Sequence, residues 1–175
     1  MLEHGKYDDA LLALAKGVQG IVLDVDGVLT NGGIIYSAGG DELKQFHVRD
    51  GASIKLLLET GIAIAIITGR RSEVVERRAK ELGIHHLVQG AKDKASALEE
   101  LCNQGFPGAN LAAVGDDIQD LQLFNAPQIS LCCTVSDAHP TVCEHAHFVT
   151  QRGGGQGICV EIAHLVLTAQ DKWPY

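Results

Sequence analysis

The sequence predicts an α/β fold, a parallel sheet with helices on both faces. Three observations predict it. Short apolar, β-prone runs alternate along the chain with helix-length amphipathic segments. One run, Ile62-Ala63-Ile64-Ala65-Ile66-Ile67, is continuously apolar, as expected of a strand buried on both faces. Polar groups gather where the runs end: Asp24 and Asp26, Thr68-Gly69-Arg70, and Asp116-Asp117. In an open α/β sheet the carboxyl ends of the strands form the ligand crevice, so these distant segments can meet.

The elements follow in order. Residues 4–17 read as a short helix, with Leu11, Leu12, Leu14 and Ala15 on its apolar side and Gly17 as its stop. A strand at 19–24 comes next. Residues 27–49 lack a helical period. There Ile34-Ile35-Tyr36 and the stretch Leu43 to Val48 flank Gly39-Gly40 and predict a β-hairpin flap within 28–49. A helix at 51–60 leads to the strand at 62–67, and a charged helix at 72–82 stops at Gly83. A strand at 86–89, a helix at 93–104 and a strand at 111–114 follow. Then come a short helix, a strand at 129–133, a helix at 136–144 and a short strand at 146–149. Gly153-Gly154-Gly155 reads as flexible, with linker and functional readings both open. Ile158, Ile162, Leu165 and Val166 mark a last amphipathic helix, and residues 171–175 are expected to be mobile. No repeat or linker divides the chain. It reads as one domain, 1–175, with a glycine-rich C-terminal tail, 152–175.

Composition narrows the function. A hydrophobic content of 46% suits a globular protein with a full core. A net charge of −8 argues against a general nucleic-acid binder. No apolar run approaches the ~20 residues of a membrane span. Met1-Leu2-Glu3-His4 lacks the basic start of a signal peptide, so a cytoplasmic location is expected. The five cysteines form no Cys-x-x-Cys pair and read as reduced, mostly buried thiols. The histidines show no zinc spacing; His145 and His147 are expected to alternate along a short strand.

The segment Ile21-Val22-Leu23-Asp24-Val25-Asp26-Gly27 carries most information. Two carboxylates close together at a strand end repel, and are costly to desolvate unless a cation joins them. Oxygen ligands without histidine or thiolate suit Mg²⁺. Mg²⁺, Lys94 and helix N-termini together suit a phosphate. An aspartate is also a competent nucleophile toward phosphorus.

This set resembles the haloacid dehalogenase superfamily. The matching motifs are Asp24-Val25-Asp26-Gly27-Val28-Leu29-Thr30, Thr68-Gly69-Arg70, Lys94 and Gly115-Asp116-Asp117. The resemblance implies a three-layer Rossmann-like sheet. The segments between motifs are too short for a large cap, which leaves only the hairpin flap. Within the superfamily the chain is similar to the 3-deoxy-D-manno-octulosonate 8-phosphate (KDO 8-P) phosphatase family. The similarity runs through Glu42 to Gly51, Ile66 to Arg70, Gln89-Gly90, Val114 to Asp117, Ser136 to Pro140 and Gly153 to Gly157. It implies an Mg²⁺-dependent homotetramer that serves lipopolysaccharide synthesis.

The resemblance also implies roles. Asp24 and Asp116 bind metal by side chain and Asp26 by its backbone carbonyl; Asp24 is the nucleophile and Asp26 the acid/base. Thr68 and Lys94 hold the phosphate. His47, Val48, Arg49, Asp50, Gly51, Lys55, Arg70 and Arg78 match substrate contacts, together with Asp26 and Lys94. One departure stands out: Val160 occupies a position where the family often has arginine. Arg71 and Arg77 read as a solvated helix face, and Lys92 as a surface lysine. Asp120 is open between a helix-surface acid and a metal-site partner, and Asp93 reads as a turn or cap residue. Two other functions compete. One is a phosphatase for a nine-carbon keto-sugar acid phosphate, in which the position of Arg70 tends to be acidic. The other is a non-catalytic oligomerisation domain, which would gain nothing from a desolvated acid cluster.

Overall fold

The computed structural model describes residues 7–175, so the start of the predicted first helix lies outside the described residues. Helix α1 (Asp9–Lys16) begins where the Asp8 side chain accepts from Leu11 N at 2.7 Å. Strand β1 (Gly20–Leu23) follows, fully buried. A two-stranded hairpin, β2 (Ile35–Tyr36) with β3 (Glu42–Leu43), forms the flap. Then come α2 (Val48–Glu59), β4 (Ala63–Thr68), α3 (Glu73–Leu82), β5 (His86–Gln89) and α4 (Lys94–Asn103). After β6 (Leu111–Gly115), a 3-10 turn at Ile118–Asp120 runs into α5 (Leu121–Phe124). The chain finishes with β7 (Ile129–Thr134), α6 (Pro140–His145), β8 (Phe148–Val149) and α7 (Cys159–Ala169).

The sheet is parallel in the order β5-β4-β1-β6-β7-β8. Alternation along each strand divides the core into two layers. Ile21, Leu23, Ile64, Ile66, Ala112 and Val114 face one cluster, shared with Ile54 and Leu57 of α2 and Ile162, Leu165 and Val166 of α7. Val22, Ala65, Ile67, Leu111 and Ala113 face the other, shared with Leu98 and Leu101 of α4. That is the predicted three-layer architecture. The connection leaving β1 runs toward β4, and that leaving β6 runs toward β7. The order reverses between β1 and β6, and this switch point places the site.

Four expectations need correction. The second flap strand is two residues long. His47 instead caps α2, its Nδ1 accepting from Arg49 N at 3.1 Å, so the helix starts three residues before the predicted 51. Helix α6 begins at Pro140 rather than 136, because proline suits the first helical turn and residues 136–139 form a bend. His145 therefore ends a helix rather than alternating with His147 along a strand. The tail is not free: Trp173 stacks edge-on against His164 at 4.9 Å, and Lys172 Nζ donates to Thr60 O. The cysteines are all free thiols, as expected.

The glycine stretch 153–155 is packed rather than a plain linker. A Cβ on Gly154 would lie 1.9 Å from the Gly27 carbonyl oxygen, and Gly155 N donates to Val28 O at 2.9 Å. The stretch thus braces the turn that follows Asp26. Gly154→Ala is expected to cost about 1–3 kcal/mol through forced backbone displacement, read by urea denaturation, and to lower activity by moving that turn.

Candidate active site

Asp24 leaves the end of β1, and its backbone N–H still donates to Val114 O of the neighbouring strand at 3.0 Å. Asp116 leaves β6 one strand away. Gly27 adopts φ +94°, and a Cβ there would sit 2.0 Å from Asp116 Oδ2. Only glycine lets the turn close this tightly over the second acid. Lys94 opens α4, whose cap is Asp93, accepting from Ser96 N at 2.9 Å as expected. Thr68, the last residue of β4, is buried.

These groups meet. Lys94 is 3% exposed, with Nζ 3.0 Å from Asp24 Oδ1 and 2.5 Å from Asp120 Oδ1. Its backbone N–H donates to Gln122 Oε1. Asp120 is buried, which removes the helix-surface reading, and its Oδ2 also accepts from Asp116 N at 2.9 Å and Asp117 N at 3.1 Å. Carboxylate oxygens of Asp24, Asp116 and Asp120 lie within 4.8 Å of one another. Three acids thus face one ammonium. Asp120 is committed to Lys94 and backbone amides, whereas Asp116 Oδ1 is buried without a hydrogen-bond partner. A hard cation fits between Asp24 and Asp116, with Asp120 orienting Lys94 and the β6 loop.

Electrostatics agree. Burial, then the Asp120 charge, pushes Asp24 up to about 6 despite Lys94. Burial and the charges of Asp24 and Asp120 push Asp116 up to about 7. Burial works to lower Lys94, but Asp24 and Asp120 together outweigh it and hold the ammonium above its usual value. Both acids bind protons more readily folded than unfolded, where they titrate near 3.8. Stability from this pair is therefore greatest at low pH and is lost as pH rises from about 4 through about 7. In chelator, wild type is expected to lose several degrees more of melting temperature between pH 5 and 7.5 than Asp116→Asn. Parallel profiles would contradict this.

The acids open into a cleft of about 770 Å³, lined by Asp24, Asp26, Thr68, Arg70, Lys94, Asp116 and Lys92 among others. Lys92 is exposed, as expected, yet it borders the cleft. Sequence reasoning missed Lys44 and Glu42. Lys44 Nζ lies 2.5 Å from Asp26 Oδ1, and Arg70 Nη2 lies 2.8 Å from Glu42 Oε1. The signal was available: Glu42 and Lys44 alternate around Leu43 and so point to one side of the flap.

Comparison with known proteins decides the family. A haloacid dehalogenase-like hydrolase profile matches residues 85–162. Over 170 residues the chain is 41% identical to the 3-deoxy-D-manno-octulosonate 8-phosphate phosphatase of Yersinia pestis, covering 97% of this chain and 90% of that one. The chain belongs to this family of haloacid dehalogenase-like phosphatases. Its fold matches the Moraxella catarrhalis phosphatase, crystallised with a magnesium ion, a phosphate ion and a KDO molecule. That TM-score is 0.88 at 37% identity, covering 94% of each chain. It also matches the cobalt-bound Haemophilus influenzae phosphatase, with a TM-score of 0.85 at 36% identity, covering 91% of this chain and 92% of that one.

The other family-implied positions lie outside this cleft within one chain. His47 caps α2 and Asp50 Oδ1 accepts from Cys159 N at 2.7 Å, tying α2 to the start of α7. Burial raises the Asp50 carboxyl. Val48, Arg49 and Lys55 are exposed. Gly51 is buried against Arg78, whose guanidinium stands 5.6 Å over the Phe46 ring. Arg77 pairs with Glu81 at the surface, as expected of a solvated face. The exposed residues among 47–55 and the half-buried Arg78 lie on a second face, while Arg70, Asp26 and Lys94 are the members of the substrate-contact set that border the acid cleft.

Proposed function

We propose that the chain is an Mg²⁺-dependent phosphatase that hydrolyses 3-deoxy-D-manno-octulosonate 8-phosphate to KDO and inorganic phosphate through an aspartyl-phosphate. One observation carries the reading: Asp24, buried against Lys94 at the switch point, stands beside an unpartnered Asp116 oxygen. Asp24 attacks phosphorus as the bond to the sugar oxygen breaks. Asp26 gives a proton to that oxygen, then takes one from the water that hydrolyses the aspartyl-phosphate. Thr68 and Lys94 hold the phosphoryl oxygens. Mg²⁺, held by Asp24 and Asp116 side chains and the Asp26 carbonyl, supplies charge neutralisation on those oxygens.

The names carried by the relatives support the eight-carbon substrate, as does basic Arg70 over the nine-carbon alternative. The same reading places the enzyme in the cytoplasm, in lipopolysaccharide synthesis. No helix among the described residues is long and apolar enough to cross a membrane.

Assembly belongs to this proposal. Ile34, Ile35, Tyr36 and Leu43 stand exposed on a lone hairpin, and Val48 is 78% exposed beside it. A free two-stranded hairpin is marginal in water, and such an apolar edge invites pairing between copies. Four flaps packed together would bring the face of residues 47–55 and Arg78 to a neighbour's cleft. Phe46 packs on the core under Arg78, so it is not part of the free face. The double variant Ile35→Asp, Leu43→Asp is expected to sediment near one copy of 18.6 kDa, with wild type near four. It should lose sugar-acid phosphate turnover more than aryl phosphate turnover.

Phosphate release from the eight- and nine-carbon sugar-acid phosphates, each with Mg²⁺ and with EDTA, tests the function. Mg²⁺-dependent preference for the eight-carbon compound supports it. No release from either compound would overturn it.

A further inference from the structure

Glu42 and Lys44 leave β3 on one side while Leu43 between them is exposed, so the flap turns a charged edge toward the sheet. The Lys44 side chain is 2% exposed, which is rare for a lysine on a flap whose apolar residues face solvent. Its ammonium lies 2.5 Å from Asp26 Oδ1 and 3.6 Å from Glu42 Oε1. Arg70 completes a ring, with Nη2 at 2.8 Å from the same Glu42 oxygen and Nε at 3.7 Å from Asp26 Oδ2. Two acids and two bases alternate, joining the flap to the ends of β1 and β4. Arg70 Nε is buried without a hydrogen-bond partner, so Asp26 receives its close contact from Lys44 alone of the two bases.

We infer that Lys44 is a positioning residue that holds the Asp26 carboxyl in its working orientation, so that proton transfer to the leaving oxygen requires the flap in place. The inference rests on the phosphatase reading above. Asp26 precedes the Gly27 turn, and among the described residues the hydrogen-bond and ion-pair partners of its carboxyl are the bases of this ring. Lys44 in turn is held by Glu42. Without Lys44, Asp26 is drawn toward Arg70, and the proton donor is misplaced relative to the cleft. The chemical step is unchanged in kind: Asp24 forms the bond to phosphorus, the phosphorus–oxygen bond breaks, and the proton from Asp26 goes to the departing oxygen.

The test is a series of substituted phenyl phosphates of similar size, from acidic to weakly acidic leaving phenols, with Mg²⁺ present. A displaced general acid penalises poor leaving groups and spares good ones. In Lys44→Met the phosphorylation rate, measured in single turnover, is expected to fall on the order of 10- to 100-fold for phenyl phosphate. For the most acidic phenol it should fall less than about threefold, steepening the dependence on leaving-group acidity. Lys44→Arg should restore the wild-type slope, and Glu42→Gln should shift it part of the way. Glu42→Gln also serves as the second variant if Lys44→Met proves unfolded by circular dichroism. A uniform loss across the series, with unchanged slope in folded Lys44→Met or Glu42→Gln, would overturn the inference. Absence of turnover in wild type with every member would instead overturn the phosphatase reading.

Discussion

Asp24→Asn is expected to lose at least about 10⁴-fold in turnover while remaining at least as stable as wild type. An amide is not a useful nucleophile, so the proposed covalent route closes. The stability half follows from burial. Asp24 is 6% exposed and shares its space with Asp116 and Asp120, and its carboxyl is pushed up to about 6. A group raised in this way is held in an unfavourable charge state at neutral pH. Removing that charge relieves the cluster even as Lys94 loses one partner. Activity lost with the melting temperature held or raised is the signature of a functional acid retained against the fold's interest. A near-normal rate would exclude Asp24 as nucleophile.

Lys94→Met is expected to produce the opposite stability result. Among the described residues the ammonium is the one cation paired with this acid cluster, at 3.0 Å from Asp24 and 2.5 Å from Asp120. Leaving buried carboxylates without their partner typically costs about 3–5 kcal/mol. Unfolding in chelator should show a loss of that order, and Mg²⁺ should recover part of it by replacing the missing charge. Turnover should also collapse, because the proposed positive contact to the phosphoryl group is gone. Equal stability of variant and wild type in chelator would mean that Lys94 does not hold the cluster together.

The two predictions separate what the chain states locally from what only folding reveals. Strand-end acids and the continuous run at 62–67 were legible because a parallel sheet imposes both patterns. Helix α3 ended at Gly83 as read, since Gly83 takes the left-handed φ of +77° that a helix stop favours. Helix α6 was misread because Ser136-Asp137-Ala138 has no signal against helix until Pro140 supplies the start. The glycine stretch 153–155 stayed open between linker and functional readings because its role is to leave room for the Gly27 carbonyl, a contact across more than a hundred residues. Asp120 and Lys44 were the harder cases. Each is an ordinary charged residue in sequence, and its importance comes from a partner on another element, Lys94 at the start of α4 for the first and Asp26 after β1 for the second.

The central claim is that phosphate passes through Asp24, and trapping that intermediate tests it most directly. Wild-type protein would be mixed with Mg²⁺ and 3-deoxy-D-manno-octulosonate 8-phosphate carrying a radiolabelled phosphoryl group, quenched in acid during turnover, and peptide-mapped. The account predicts acid-stable label on the peptide bearing Asp24, dependent on Mg²⁺ and absent from Asp24→Asn. Full-rate phosphate release with label on no carboxylate, or on a different one, would contradict it.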